Sequence, residues 1–179
     1  MPMDREFWKK CIEFHGHECP GLASGFRAAE TAAREIGVPF GRTEDEDIVC
    51  VTENDACGVD CIQFALSCTL GKGNMIMRLR GKHAWSFFNR KNGKSVRIVM
   101  KDFDRAGRSR EEIIDFILNG PEEEVLDIKS PSFELPEKAR IFRSIKCECC
   151  GEYAREDLIR FQDGCKVCLD CFKDYAPRW

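Results

Sequence analysis

Apolar residues recur at helical spacing along the first third of the chain and at strand spacing after it. Phe7, Trp8, Cys11, Ile12 and His15 share one face of a helix that Asp4 can cap and Gly16 can stop. A second helix opens at Cys19-Pro20, with proline at the first helical position, and carries Leu22, Gly25, Phe26, Ala29, Ala33 and Ile36 inward before Gly37. After the polar loop 41–47, the β-branched run Ile48-Val49-Cys50-Val51-Thr52 predicts a short buried strand. The pattern is helical again over 54–67 and is broken by Gly71-Lys72-Gly73-Asn74. Three strands follow, 75–80, 82–89 and 95–100, the last two joined by a tight turn at Asn92-Gly93. Ser109 caps a further amphipathic helix through Leu118, ended by Asn119-Gly120-Pro121. Four strands and about four helices without strict alternation predict an α+β core with a mixed sheet.

Residues 130–140, SPSFELPEKAR, hold two prolines and few apolar side chains and read as an extended linker. It divides a core domain, residues 1–129, from residues 141–179, a stretch too small to fold on an apolar core alone. The net charge of −3 and pI near 5.7 argue against nucleic acid as the main partner. No run approaches the roughly 18 apolar residues of a membrane span. With no apolar leader at residues 1–6, a soluble cytoplasmic protein is expected. In that compartment the 12 cysteines are expected as metal ligands, reactive thiols or small core residues before disulfides.

Their clustering is informative. Cys147 and Cys150 form one C-x2-C pair and Cys168 and Cys171 another, 17 residues apart, which is the spacing of a four-thiolate structural zinc site. Residues 147–151 can turn as a knuckle and 158–167 as a hairpin about Asp163-Gly164. Cys168 and Cys171 would then open a terminal helix, where the backbone dipole favours thiolates. Knuckle, hairpin and helix make a treble-clef layout. Cys149 and Cys165 are left over, and either could replace a neighbour or stay free. The finger could dock protein, bind nucleic acid or brace the core.

At the front, FHGHECPG (residues 14–21) places His15, His17 and Cys19 at the junction of two helices. Cys57, in NDACGVDC, lies in a turn from strand to helix, a place where ligands gather. His17, Cys19 and Cys57 would supply three ligands and leave a fourth position open, as catalytic zinc sites do. His15 would orient a ligand from behind or bind substrate, and His15 or Asp60 could move a proton. Thiolate-rich ligation favours zinc or a similarly thiophilic metal. Cys11, Cys50 and Cys61 are expected in the core.

Three ordered segments, FHGHECPGLASGFRAA, ENDACGVDCIQFALSCTLGKGN and FFNRKNGKSVRI, resemble the family named for the E subunit of formylmethanofuran dehydrogenase, over residues 5 to about 105. CECCGEYAREDLIRFQDGCKVCLDCF resembles the treble-clef finger that many members append. The resemblance implies a thioredoxin-like core with a mixed sheet and flanking helices, often dimeric, and a metal-dependent site at His15, His17, Cys19 and Cys57. Cys68, Lys72, Asn89 and Arg90 are implied near it. It further implies an accessory or subunit role beside the molybdenum or tungsten enzyme that fixes carbon dioxide onto methanofuran. This chain departs from the family pattern at Cys61, where a small residue is expected.

Two other functions compete with a metal-binding role. A thiol-redox enzyme would use Cys19 as nucleophile and Cys57 or Cys61 to resolve it, although no C-x-x-C opens a helix here. A zinc-finger adaptor for protein or nucleic acid is the third reading.

Overall fold

The computed structural model describes residues 4–42 and 46–176, and the chain passes from one compact unit to a second at Ala139–Arg140. Part of the polar loop read at 41–47, residues 43–45, lies outside the described residues. In the first unit, helix α1 (Arg5–His15) begins where the Asp4 carboxylate accepts the N–H groups of Glu6 and Phe7. It stops at Gly16, whose φ of +96° favours a residue without a Cβ. Helix α2 (Pro20–Ile36) is capped by sulfur: Cys19 Sγ accepts the Leu22 N–H at 3.3 Å.

Strand β1 (Ile48–Thr52) matches its expected bounds. The helix expected from residue 54 starts later, because Thr52 Oγ1 donates to the Asn54 carbonyl and Asn54 Oδ1 accepts the Ala56 N–H. These local bonds form a turn that competes with helix. Helix α3 therefore spans Gly58–Leu66, and Cys57 stands just before it. There follow β2 (Met75–Met77), β3 (Ala84–Asn89), β4 (Ser95–Met100), α4 (Arg110–Asn119), α5 (Glu122–Val125) and β5 (Leu126–Lys129). Strand order is β2-β1-β3-β4-β5, with β1 and β2 parallel and the other neighbours antiparallel, so the core is α+β with a mixed sheet flanked by helices. The fifth strand was not expected, since Leu126 and Ile128 alternate over too few residues to make a period-2 signal.

Alternation gives the sheet two unlike faces. Ile48, Cys50, Trp85, Phe87, Val96 and Ile98 join the helices in the main core, whereas Val49, Val51 and Phe88 point the other way. The segment read as a linker lies along that second face: the Phe133 and Phe88 rings are 5.8 Å apart, and Arg90 donates to the carbonyls of Pro136 and Glu137. On the helical face, α2 and α3 meet backbone to backbone. A Cβ on Gly25 would lie 2.2 Å from the Gly58 carbonyl oxygen, and one on Gly58 would lie 2.9 Å from Trp85 Cζ2.

The second unit contains two hairpins. Strands β6 (Ser144–Lys146) and β7 (Tyr153–Arg155) flank the first cysteine pair. Strands β8 (Arg160–Gln162) and β9 (Cys165–Val167) turn at Asp163-Gly164, both at positive φ as a tight hairpin turn requires. Where a helix was expected from Cys168, the described residues form a turn at 169–171 and then extended chain; residues 177–179 lie outside the described part. The stretch between Cys168 and Pro177 is short for a helix, and proline biases the residue before it toward extended backbone. Among the described residues no helix is long and apolar enough to cross a membrane.

Gly25→Ala is expected to lower stability by about 2–3 kcal/mol, because neither backbone at the crossing can retreat without moving a helix; urea unfolding measures it, and an unchanged midpoint would refute the constraint. Glu53, whose side chain is 5 % exposed, accepts from Arg97 Nε at 2.7 Å and Nη2 at 3.0 Å, and these bonds hold its carboxyl below the usual range. The pair therefore contributes fully above the ordinary glutamate pKa and is lost as pH falls through the lowered value. Glu53→Gln should cost about 1–3 kcal/mol at pH 7 and less at pH 3, leaving a shallower acid limb in stability against pH.

Candidate metal centre

The left-handed turn at Gly16 folds the chain back on α1, which brings the His17 ring against that of His15, tilted by 37° with centroids 4.6 Å apart. Glu18 anchors the returning loop: its carboxylate accepts the Trp8 indole N–H at 3.0 Å and its carbonyl accepts from Arg110 at 2.8 Å. Cys19 then caps α2. Ligand atoms of His15, His17 and Cys19 consequently lie within 4.8 Å of one another. Cys19 is buried, His15 is partly buried and His17 is exposed, so the cluster opens toward solvent on the His17 side.

His15 is held from α3. Its Nδ1 lies 2.8 Å from Asp60 Oδ2, where a carboxylate accepts the Nδ1–H, and its Nε2 lies 3.9 Å from Cys19 Sγ. A carboxylate behind an imidazole is the arrangement that orients histidine ligands. Residue spacing carries no sign of this pair, which is 45 positions apart. Trp8 and Glu18 as anchors of the loop are likewise visible only in three dimensions.

Cys57 adjoins Cys19 at the α2–α3 crossing. Its sulfur would lie 3.6 Å, and that of Cys19 3.9 Å, from a Cβ on Gly21. Burial, and next a hydrogen bond with Cys19, push the Cys57 thiol up. The expected trio of His17, Cys19 and Cys57, with His15 behind, is thus arranged differently: His15 joins the imidazole–thiol cluster directly, and Cys57 touches its sulfur end. Cys61 is buried and hydrogen-bonded with Cys11, and burial drives its thiol well above the ordinary value.

Lys72, Asn89 and Arg90 fall elsewhere. Lys72 lies in the turn after α3 and acts electrostatically on Cys68, whose thiol burial pushes up to about 12. Asn89 is paired with Ile48, at the end of β1 opposite Thr52, and donates to the Ile36 carbonyl at the end of α2. Arg90 holds the 130–139 segment. Behind the α3 start, the Trp85 and His83 rings meet edge to face at 4.9 Å, and Trp85 Nε1 and His83 Nε2 are buried with no protein partner among the described residues. Burial also lowers the His83 pKa.

In the second unit, Cys147, Cys150, Cys168 and Cys171 bring their four sulfurs within 4.8 Å, while Cys149 and Cys165 are exposed and outside the group. Backbone N–H groups of Cys150 and then Cys168 lower the Cys147 pKa to about 6. Four convergent thiols fit a closed metal site, and two imidazoles with a thiol fit an open one.

Comparison with known proteins agrees with this architecture. The family model described as "FmdE, Molybdenum formylmethanofuran dehydrogenase operon" matches residues 14–130. A protein of Archaeoglobus fulgidus described as a probable S-adenosyl-L-methionine-binding protein is 31% identical over 192 aligned residues, covering 91% of this chain and 51% of that protein. The chain thus spans about half the length of this curated relative. A crystal structure of a tungsten formylmethanofuran dehydrogenase FmdE-like protein from Syntrophus aciditrophicus superposes with a TM-score of 0.63 at 23% identity, covering 93% of this chain and 90% of that one, which shows a shared fold.

Metal removal tests the closed site. Chelation, or Cys147→Ser in the full chain, is expected to collapse the amide resonances of residues 144–171 while those of α2 and β3 keep their positions. An unchanged spectrum after verified metal loss would show that the hairpins stand without it.

Proposed function

The chain belongs to the FmdE family, and from that premise we propose that it is a metal-binding accessory protein of molybdenum- or tungsten-dependent one-carbon metabolism. In this reading zinc fills the four-thiolate site, and zinc or another thiophilic metal is held by His15, His17 and Cys19, with Cys57 close enough to join. The observation that carries it is the convergence of two imidazoles and a thiol within 4.8 Å, one imidazole oriented by Asp60. A metal bound there would supply Lewis acidity to an oxygen of a bound ligand or water. The protein's own part is to hold the geometry. Asp60 fixes the His15 tautomer, Gly16 returns His17 to the cluster, and Cys19 gives up its proton on ligation. Association with the other chains of formylmethanofuran dehydrogenase, a homodimeric state and a cytoplasmic setting belong to the same proposal.

Contact between the Cys19 and Cys57 thiols supports a second reading, a dithiol that cycles with a disulfide. The two are separated by elemental analysis of anaerobically purified protein. Two metals per chain are expected, falling to one in His17→Ala or Cys19→Ser and again to one in Cys147→Ser. Asp60→Asn should keep the fold and weaken the first metal by about 10–100-fold. One metal in the wild-type chain, with none lost in Cys19→Ser and Cys19–Cys57 oxidising readily, would transfer the site to thiol chemistry.

A further inference from the structure

The second face of the sheet, away from the cysteines, ends in a cationic pit. Its cavity of about 280 Å³ is lined by Arg78, Arg80, Lys82, Arg97 and Lys129, with Ser130, Ser132 and one acidic residue, Glu53. Five cations around a single carboxylate are unexpected in a chain of net charge −3.

The backbone puts them there. Beyond β2 the chain stays alongside β1, the Arg78 N–H bonding to the Thr52 carbonyl and the Arg80 N–H to that of Glu53, each at 2.9 Å. Residues two apart on such a segment project to the same side, so the two guanidinium groups rise together. The Arg78 guanidinium is braced over the Phe133 ring at 4.6 Å. From β4, Arg97 spends Nε and Nη2 on Glu53, a pairing that neutralises the carboxylate lining the pit and leaves Nη1 outside it. Across the strand from Arg97, the Ser86 hydroxyl is buried with no protein partner among the described residues. Arg78, Arg80 and Lys82 make no ion pair among the described residues, while Lys129 reaches Asp127 at 3.0 Å. Such a cluster repels itself unless an anion joins it.

We propose that this pit binds the phosphate groups of a small phosphorylated molecule, a diphosphate or a phosphoester. Arginines, lysines and serines lining one pocket at the small end of the ligand-site range match the donor needs of tetrahedral oxyanions. The cations gather around one half-open pit bounded by the 130–132 segment, not in a stripe along the surface, and the chain is acidic overall. Both features favour a compact ligand over a nucleic acid backbone. The inference stands apart from the metal reading, because it uses none of the histidines or cysteines.

Inorganic pyrophosphate is the probe, titrated calorimetrically into the full chain at low ionic strength. One site per chain is expected, with affinity falling at least about tenfold in Arg78→Gln/Arg80→Gln, the loss of roughly one charge-assisted hydrogen bond. Both substituted side chains are exposed, and an unchanged melting curve confirms that the double variant folds. Pyrophosphate also ligates metal ions, so binding that survives the double substitution and vanishes in Cys19→Ser overturns the proposal. So does failure to bind at millimolar concentration, or tight binding of a single-stranded oligonucleotide that pyrophosphate does not displace.

Discussion

Two helices that touch through glycine decide where the chemistry of this protein sits. Gly25 of α2 lies against Gly58 at the start of α3, with Gly21 one turn earlier facing Cys57, and no side chain can be inserted between the backbones. Close approach at this point aligns the first turns of the two helices. The residues just ahead of those turns are Cys19 and Cys57, so a packing requirement for small residues becomes a juxtaposition of thiols. Trp85 closes the contact from below, where its ring meets the Gly58 backbone, and so ties the crossing to the sheet.

The remaining ligands arrive through local turns, not tertiary packing. Gly16 ends α1 in a left-handed conformation, Glu18 is clamped by Trp8 and Arg110, and the His17 ring of the intervening loop meets that of His15 at the end of α1. Asp60 and Arg110 come from other parts of the chain. The cluster therefore combines a local loop with two long-range braces, one on the His15 ring and one on the Glu18 backbone.

Much of this was legible in the sequence because caps and breakers are local. Asp4, Gly16, Pro20, Gly37 and Ser109 marked helix ends that the structure keeps. Spacing alone identified the four cysteines of the second unit, since C-x2-C pairs need only a knuckle to converge. What failed to show has equally physical reasons. The start of α3 was set by hydrogen bonds from Thr52 and Asn54 that compete with helix, and a four-residue strand leaves too little alternation to detect. The Asp60–His15 pair depends on the angle between helices. Residues 130–139 looked like a tether because they are poor in apolar residues, yet the Phe133 ring, packed on Phe88 and under Arg78, and the Arg90 guanidinium hold them to the sheet.

Cys19 carries two duties on one atom. Its sulfur closes the first turn of α2 by accepting the Leu22 N–H, and the same sulfur belongs to the imidazole cluster. Negative charge on that sulfur strengthens the cap, and withdrawal of electron density weakens it. The opening turn of the longest helix in the core thus serves as a built-in gauge of the thiol's bonding state. Exchange of the Leu22 amide proton reports it from inside the fold, without a reporter group at the site.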